Sequence, residues 1–228
     1  LATLEANRGE HPVIALLLDY RGAAKKVSTY GTDWEKHVHP KSRRIHANWV
    51  QIGSATGRMS CKNPNMQNLP REAAYRNCFR AASGCVLIKA DYEQIELRLA
   101  AEIAPDARMK KAFYEGRDLH SVTASYLLGK PETEVVTDSQ RQMAKAVNFG
   151  LIFGMGAKGL SSYAQNNFRV KMEEHEAAKI RRRYFEAYSG IKNWHELQSR
   201  KQETRTILGR HRILEGERDY TNKLNSPI

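Results

Sequence analysis

The pattern of apolar and polar positions predicts a chain built mainly of helices. Leu1 to Tyr30 reads mostly as helix, with Ala15–Leu18 apolar in its middle and Lys25 and Lys26 near its end, where cations suit the helix dipole. The stretch His39–His46 is a polar turn between extended segments and predicts a hairpin. Ser54–Pro70 shows neither a helical nor a strand period and reads as a long polar loop. Val86-Leu87-Ile88 predicts a short buried strand ending at Asp91. Tyr92–Ala104 has helical spacing, with Ile95, Leu97, Leu99 and Ile103 apolar, and Pro105 closes it. Further helices are predicted over 106–115 and 119–128, and another after Thr137 or Asp138 as N-cap candidates. Lys171–Tyr188 and Ile191–Thr204 read as charged helices with solvated faces. Thr206–Arg212 suggests a hairpin or turn carrying two arginines. No internal repeat or low-complexity linker interrupts the pattern.

The chain is organised around Ser139–Gly156, SQRQMAKAVNFGLIFGMG. Arg141, Lys145, Phe149 and Phe153 recur every fourth residue, so a helix would place two cations and then two rings along one stripe. Unpaired cations are rarely buried, which makes this an odd core stripe. It suits a nucleotide: cations for phosphates, rings for base and sugar. Gly150, Gly154 and Gly156 would leave backbone open to close approach and loosen the helix end. The plainer alternative is an amphipathic helix with solvated bases and two core phenylalanines. A second candidate site upstream tips the balance.

That site begins at Asp91. A carboxylate at a strand end can hold Mg²⁺ while substrate phosphates complete the coordination. Alternatively, Asp91 only caps the next helix, with Gln94 completing a capping-box-like pair. Glu96 could fence the sugar edge of a nucleotide, or form a surface ion pair with the nearby Arg98. His120, in GRDLH, opens another helix and could donate to a phosphate at that helix N-terminus. The loop residues Arg58, Lys62, Asn63, Asn65, Gln67 and Asn68 can track a nucleic-acid backbone or minor groove, or simply line an ordinary surface loop.

Composition narrows the classes. The 228 residues suffice for one large domain or two small ones, and 41% hydrophobic content supplies a core. Lys plus Arg outnumber Asp plus Glu by 37 to 25, a net charge of +12, which favours nucleic acid first and an anionic membrane surface second. Cys61, Cys78 and Cys85 form no CxxC pair, so a disulfide scaffold or cysteine zinc site is disfavoured and a reducing compartment fits. There is no HExxH, and His37 and His39 sit in a predicted hairpin, so neither is assigned a metal. The longest aliphatic run, Val13–Leu18, is too short to span a bilayer, and no signal peptide is visible. Both ends look like cuts in a longer protein.

These residues carry a resemblance. DYEQIELR at Asp91–Arg98 resembles motif A of the family A DNA polymerases, and RQMAKAVNFGLIFG at Arg141–Gly154 resembles their motif B. SATGRMSCKNPNMQNLP resembles the primer–template loop before motif A, and GRDLHSVTA and the terminal NSPI also match, all in family order. The resemblance implies a helix-dominant α/β fold: a partial palm plus fingers of a right-hand polymerase, with the sheet incomplete. Residues 1–30 would end the thumb, 31–104 form part of the palm, 105–190 the fingers, and 191–228 return towards the palm. The implied partners are primer–template DNA and deoxynucleoside triphosphates, with no membrane. Asp91 would hold two Mg²⁺ ions, with the Tyr92 carbonyl also facing a metal. Arg141, Lys145 and His120 match positions that bind the triphosphate; Phe149 matches the ring packing on the incoming nucleotide, a position that influences dideoxynucleotide acceptance. Glu96 matches the steric gate against a ribose 2′-hydroxyl, Arg58, Gln67 and Asn68 match primer–template contacts, and Asn225 matches a residue near the nascent pair.

The chain departs from the family at two places. Phe153 stands where most bacterial relatives have a tyrosine that can hydrogen-bond the gate glutamate, which implies a looser gate or altered fidelity. Motif C, which bears the second metal carboxylate, is expected beyond Ile228, so this chain alone should be nearly inactive and need the missing C-terminal segment. Gly209–Asn225 is also shorter than in common bacterial enzymes. The rivals are a non-catalytic nucleic-acid-binding module, against which Asp91, Arg141 and Lys145 argue, and a single-subunit RNA polymerase, against which Glu96 and Phe149 argue. The expected location is the cytoplasm of a bacterium or of a virus-infected host, with an organelle as the alternative.

Overall fold

The computed structural model describes residues 2–54, 56–214 and 220–228. Leu1 of the first expected helix, Ala55 of the expected loop, and 215–219 of the shortened Gly209–Asn225 stretch lie outside the described residues. The chain divides into two compact units, Leu1–Ala90 and Asp91–Ile228. The division falls inside the segment 31–104.

In the first unit, helices α1 (Ala2–Ala6) and α2 (Pro12–Tyr30) replace the single expected helix. Pro12 explains the break: it has no N–H to continue a helix but suits a first turn. The His11 ring accepts the Val13 N–H at 3.2 Å and caps α2. The hairpin expected at His39–His46 is reduced to one antiparallel bridge between Val38 and Ile45. The paired strands follow: β1 (Asn48–Val50) runs antiparallel to β2 (Ser60–Lys62), with Trp49 opposite Cys61. β2 and a 3-10 turn at Met66–Asn68 both lie inside the stretch expected to be loop. Three-residue elements are too short to display a period, so their pattern could not announce them. After α3 (Ala73–Arg76) the unit is held by an aromatic cluster rather than a broad aliphatic core. Tyr30 packs on Trp34 at 5.6 Å and Tyr75 at 5.7 Å, and Trp34 on Phe79 at 6.0 Å.

The buried strand expected at Val86–Ile88 is absent among the described residues. The segment carries no ladder, and the three side chains are 81%, 70% and 87% exposed. A strand needs a hydrogen-bonded neighbour, and none of the described strands pairs with it.

The second unit is helical: α4 (Ile95–Ile103), α5 (Ala107–Tyr114), α6 (Leu119–Leu128), α7 (Asp138–Ile152), α8 (Ala157–Phe168), α9 (Glu174–Ala187) and α10 (Ser189–Ser199). A hairpin, β3 (Glu203–Arg205) with β4 (His211–Ile213), and helix α11 (Tyr220–Asn225) complete it. Side-chain caps start the helices where the sequence allows. Asp106 and Asp118 accept the N–H groups of Met109 and Ser121, and Thr137 with Gln140 forms a reciprocal capping box at α7. Asp106 also accepts the Gly190 N–H at 2.9 Å, joining the start of α5 to the start of α10. Leu97, Met109, Leu119, Val147, Leu151, Leu160, Tyr184, Tyr188 and Ile191 form one buried core. The charged stretch of α9 is solvated on one face only, since Tyr184 is buried on the other. Among the described residues, helix dominance with two small sheets is the observed architecture.

Candidate nucleotide site

The site is a corner where the N-terminus of α6 meets α7. Asp118, the N-cap of α6, accepts its own helix's Ser121 N–H at 2.9 Å and Ser121 hydroxyl at 2.7 Å. The same carboxylate receives Arg141 from the first turn of α7 in a two-pronged pair, Nε to Oδ2 at 2.9 Å and Nη2 to Oδ1 at 3.0 Å. Burial pushes the Asp118 carboxyl up. The hydrogen bonds from Arg141 and Ser121, with the guanidinium charge, outweigh it and hold the group down at about 2.

At the second position of α6, His120 is buried and its ionisation is pushed down to about 4. Burial is the main cause; Asp118 opposes it, while Arg141 and Lys145 reinforce it. The imidazole is therefore neutral at pH 7, and its orientation is set from below. The Asn148 carboxamide donates from Nδ2 to His120 Nδ1 at 2.9 Å. Asn148 Oδ1 accepts the Thr123 hydroxyl at 3.0 Å, and Thr123 lies 2.7 Å from the Tyr188 hydroxyl. With Nδ1 accepting, the ring proton sits on Nε2, and His120 is a neutral donor.

The α7 stripe is as the spacing predicts through Phe149. Arg141, Lys145 and Phe149 are half-buried, while Ala144, Ala146, Val147 and Asn148 beside them are buried. The Phe149 ring lies 5.9 Å from the His120 ring. Phe153 is not on the helix: α7 ends at Ile152, and Phe153 is its C-cap, half-buried against the core. Gly150 is not open to a ligand either. It is buried, and an added Cβ would sit 3.0 Å from Leu160 and 3.2 Å from Met155, so glycine here lets α8 pack on α7.

The motif A residues lie at the start of the second unit. Asp91 and Tyr92 are exposed ahead of α4. The capping pair Asp91–Gln94 does not form: Gln94 itself caps α4 with left-handed backbone, φ 52°, so the chain turns there. Arg98 turns to Glu93, donating to its carbonyl at 2.9 Å. Glu96 is half-exposed in the first turn of α4. Its charge, after burial, helps raise the Tyr163 phenol on α8, which puts the carboxylate on that side of the unit. In the first unit Arg58 and the side chain of Asn68 are exposed, and Gln67 donates to the Met59 carbonyl at 2.9 Å. Asn225 ends α11, half-buried. Sequence reasoning passed over Asp118 and Asn148, although the Asp118–Ser121 spacing is an N-cap signature that could have marked the first.

Residues 1–226 match the family described as DNA polymerase family A. The chain belongs to that family. It is 38% identical over 215 residues to DNA polymerase I of Aquifex aeolicus, covering 94% of this chain and 36% of that protein. Against DNA polymerase I of Deinococcus radiodurans it is 40% identical over 224 residues, covering 95% of this chain and 23% of that protein. The chain thus spans about a third or less of the curated relatives it matches. Its fold resembles the solved POL domain of Pol1 from M. smegmatis, in complex with DNA primer-template and dNTP, with TM-score 0.82 and 32% identity over 99% of this chain and 42% of that one. No described helix is long and apolar enough to cross a membrane.

Proposed function

We propose that the chain is the part of a DNA polymerase that binds the incoming deoxynucleoside triphosphate and the primer–template, and serves template-directed transfer of a nucleotide to the primer 3′-hydroxyl with release of pyrophosphate. The observation that carries this reading is the α6–α7 corner, where Arg141, Lys145, a neutral Nε2–H of His120 and the ring of Phe149 converge. A primer-template and dNTP in the structural neighbour support it. On this reading residues 1–30 are the end of the thumb, 31–104 part of the palm, 105–190 the fingers, and 191–228 the return towards the palm.

Each side chain has a task its chemistry suits. Arg141 and Lys145 bind the phosphates, and His120 adds a donor that needs no proton from solvent. Phe149 packs on the nucleotide, and Glu96 crowds a ribose 2′-hydroxyl, favouring deoxyribose. Arg58, Gln67, Asn68 and Asn225 contact DNA. Asp91 and the Tyr92 carbonyl are oxygen donors of the kind Mg²⁺ prefers, but no group of three or more His, Cys, Asp or Glu among the described residues could hold a metal alone. They fit an ion whose other ligands come from the substrate phosphates. When bound, two such ions supply an activated 3′-hydroxyl and charge stabilisation of the departing pyrophosphate. With a single carboxylate in place, residues 1–228 alone should extend a primer poorly.

The test is Mg²⁺-dependent primer extension with and without a supplied C-terminal half from a relative. Extension only on complementation, abolished by Asp91→Ala with DNA binding retained, is the expected result. Silence despite assembled halves and tight DNA binding would mean a non-catalytic module.

A further inference from the structure

On another side of the second unit, α9 and α10 enclose a groove of ≈ 610 Å³ that the nucleotide corner does not use. Its walls carry three cations, Arg181, Arg182 and Lys192, against two carboxylates, Glu186 and Glu196. Arg183, next in line on α9, is spent on the fold, donating to the Leu127 carbonyl at 2.7 Å. Arg181 is not: its guanidinium lies over the Phe185 ring at 5.2 Å, making a flat platform that faces the groove. Arg182 is partly neutralised by Glu186 at 4.0 Å. Lys192 stands exposed on the opposite wall beside Asn193. At the floor, His195 is buried and donates from Nε2 to the Ile152 carbonyl at 2.9 Å. Burial pushes this imidazole down to about 4, so Nδ1 keeps its lone pair and can accept. Tyr220 closes one end, 6.2 Å from the His195 ring.

A guanidinium–phenyl platform stacks a planar base, a buried acceptor takes an exocyclic amino group, and a lysine across the gap takes a phosphate. We propose that the α9–α10 groove is a second nucleotide site, binding one unpaired nucleotide with its 5′-phosphate. That unit comes either from a single-stranded template overhang or from a free nucleotide. The strand source rests on the polymerase reading; the nucleotide chemistry does not. Arg181 and Lys192 are both exposed, so their removal leaves the core intact.

Fluorescence anisotropy with labelled primer–template, either blunt or carrying a 5′ overhang of about six nucleotides, separates the cases. With the Arg181→Ser/Lys192→Ser double variant, affinity for the overhang duplex should fall about tenfold more than affinity for the blunt one. A parallel arm uses 8-azidoadenosine 5′-monophosphate with mapping of labelled peptides. Label on α9–α10 that the variant loses, without an overhang effect, assigns the site to free nucleotides. Equal weakening of both duplexes with unchanged labelling overturns the proposal, because it reports only a lost surface charge. If the wild type binds no DNA at all, the polymerase reading fails, and the photolabel alone decides for or against the groove.

Discussion

His120 and His195 are both buried and both held at about 4, where an unfolded chain would titrate them near the ordinary 6.5. A base whose folded value is lowered makes the unfolded state bind more protons between the two values. Stability is therefore full above about pH 6.5 and falls as pH drops towards 4. Urea midpoints at pH 7 and pH 5 should show the fall, and it should be shallower in His195→Gln, whose amide can still donate to the Ile152 carbonyl. Equal falls in both proteins would remove His195 from the explanation. Phe153 carries a second prediction at this scale. It has no hydroxyl to offer Glu96, so in the complete enzyme Phe153→Tyr should lower ribonucleotide incorporation relative to deoxyribonucleotide; identical ratios would sink the looser-gate idea.

At the scale of elements, the turn after α7 depends on Gly154. Its φ is +80°, and an added Cβ would lie 2.6 Å from both Leu224 and Tyr220 of α11. Gly154→Ala should cost about 1–3 kcal/mol in denaturant melts. Gly159, inside α8, would meet only Met155 at 3.8 Å, and Gly159→Ala should stabilise by about 0.5–1 kcal/mol. If both variants shift the midpoint alike, the packing account of Gly154 is wrong. Much of this architecture was legible in advance, because capping is local chemistry: Thr137 and Pro105 mark their helix boundaries within a few residues of sequence. So was the stripe Arg141, Lys145, Phe149, which needs only helical spacing. Helix α8 went unread because its buried positions, Leu160 and Ala164, are sparse among Gly, Ser and Asn. Val86–Ile88 was misread because β-branched and aliphatic residues suit a strand, whereas a ladder depends on a neighbour the local sequence cannot supply. The Asp118–Arg141 and His120–Asn148 pairs span 23 and 28 residues, and no local rule reaches that far.

At the scale of the whole molecule, the two units differ in how they are held. Among the described residues, Leu18 and Cys61 are the buried hydrophobics of the first unit, whereas the second has a continuous core from Leu97 to Leu224. The first unit should open at lower free energy. Limited trypsin digestion should nick residues 1–90 well before 91–228, and simultaneous loss of both would argue for one cooperative unit. The surplus of +12 charges predicts DNA binding that weakens steeply with salt.

That surplus is not all on offer. Arg141 already holds an internal anion: Asp118 occupies Nε and Nη2, and a ligand must either use the remaining guanidinium edge or evict the carboxylate. On the proposed reading the chain carries its own competitive inhibitor, tethered at fixed concentration. A monophosphate brings up to about twice the charge of the carboxylate it would replace, whereas a triphosphate brings more again. The pair would then work as a valence filter, letting through the nucleotides that still carry their leaving group and turning away the spent ones.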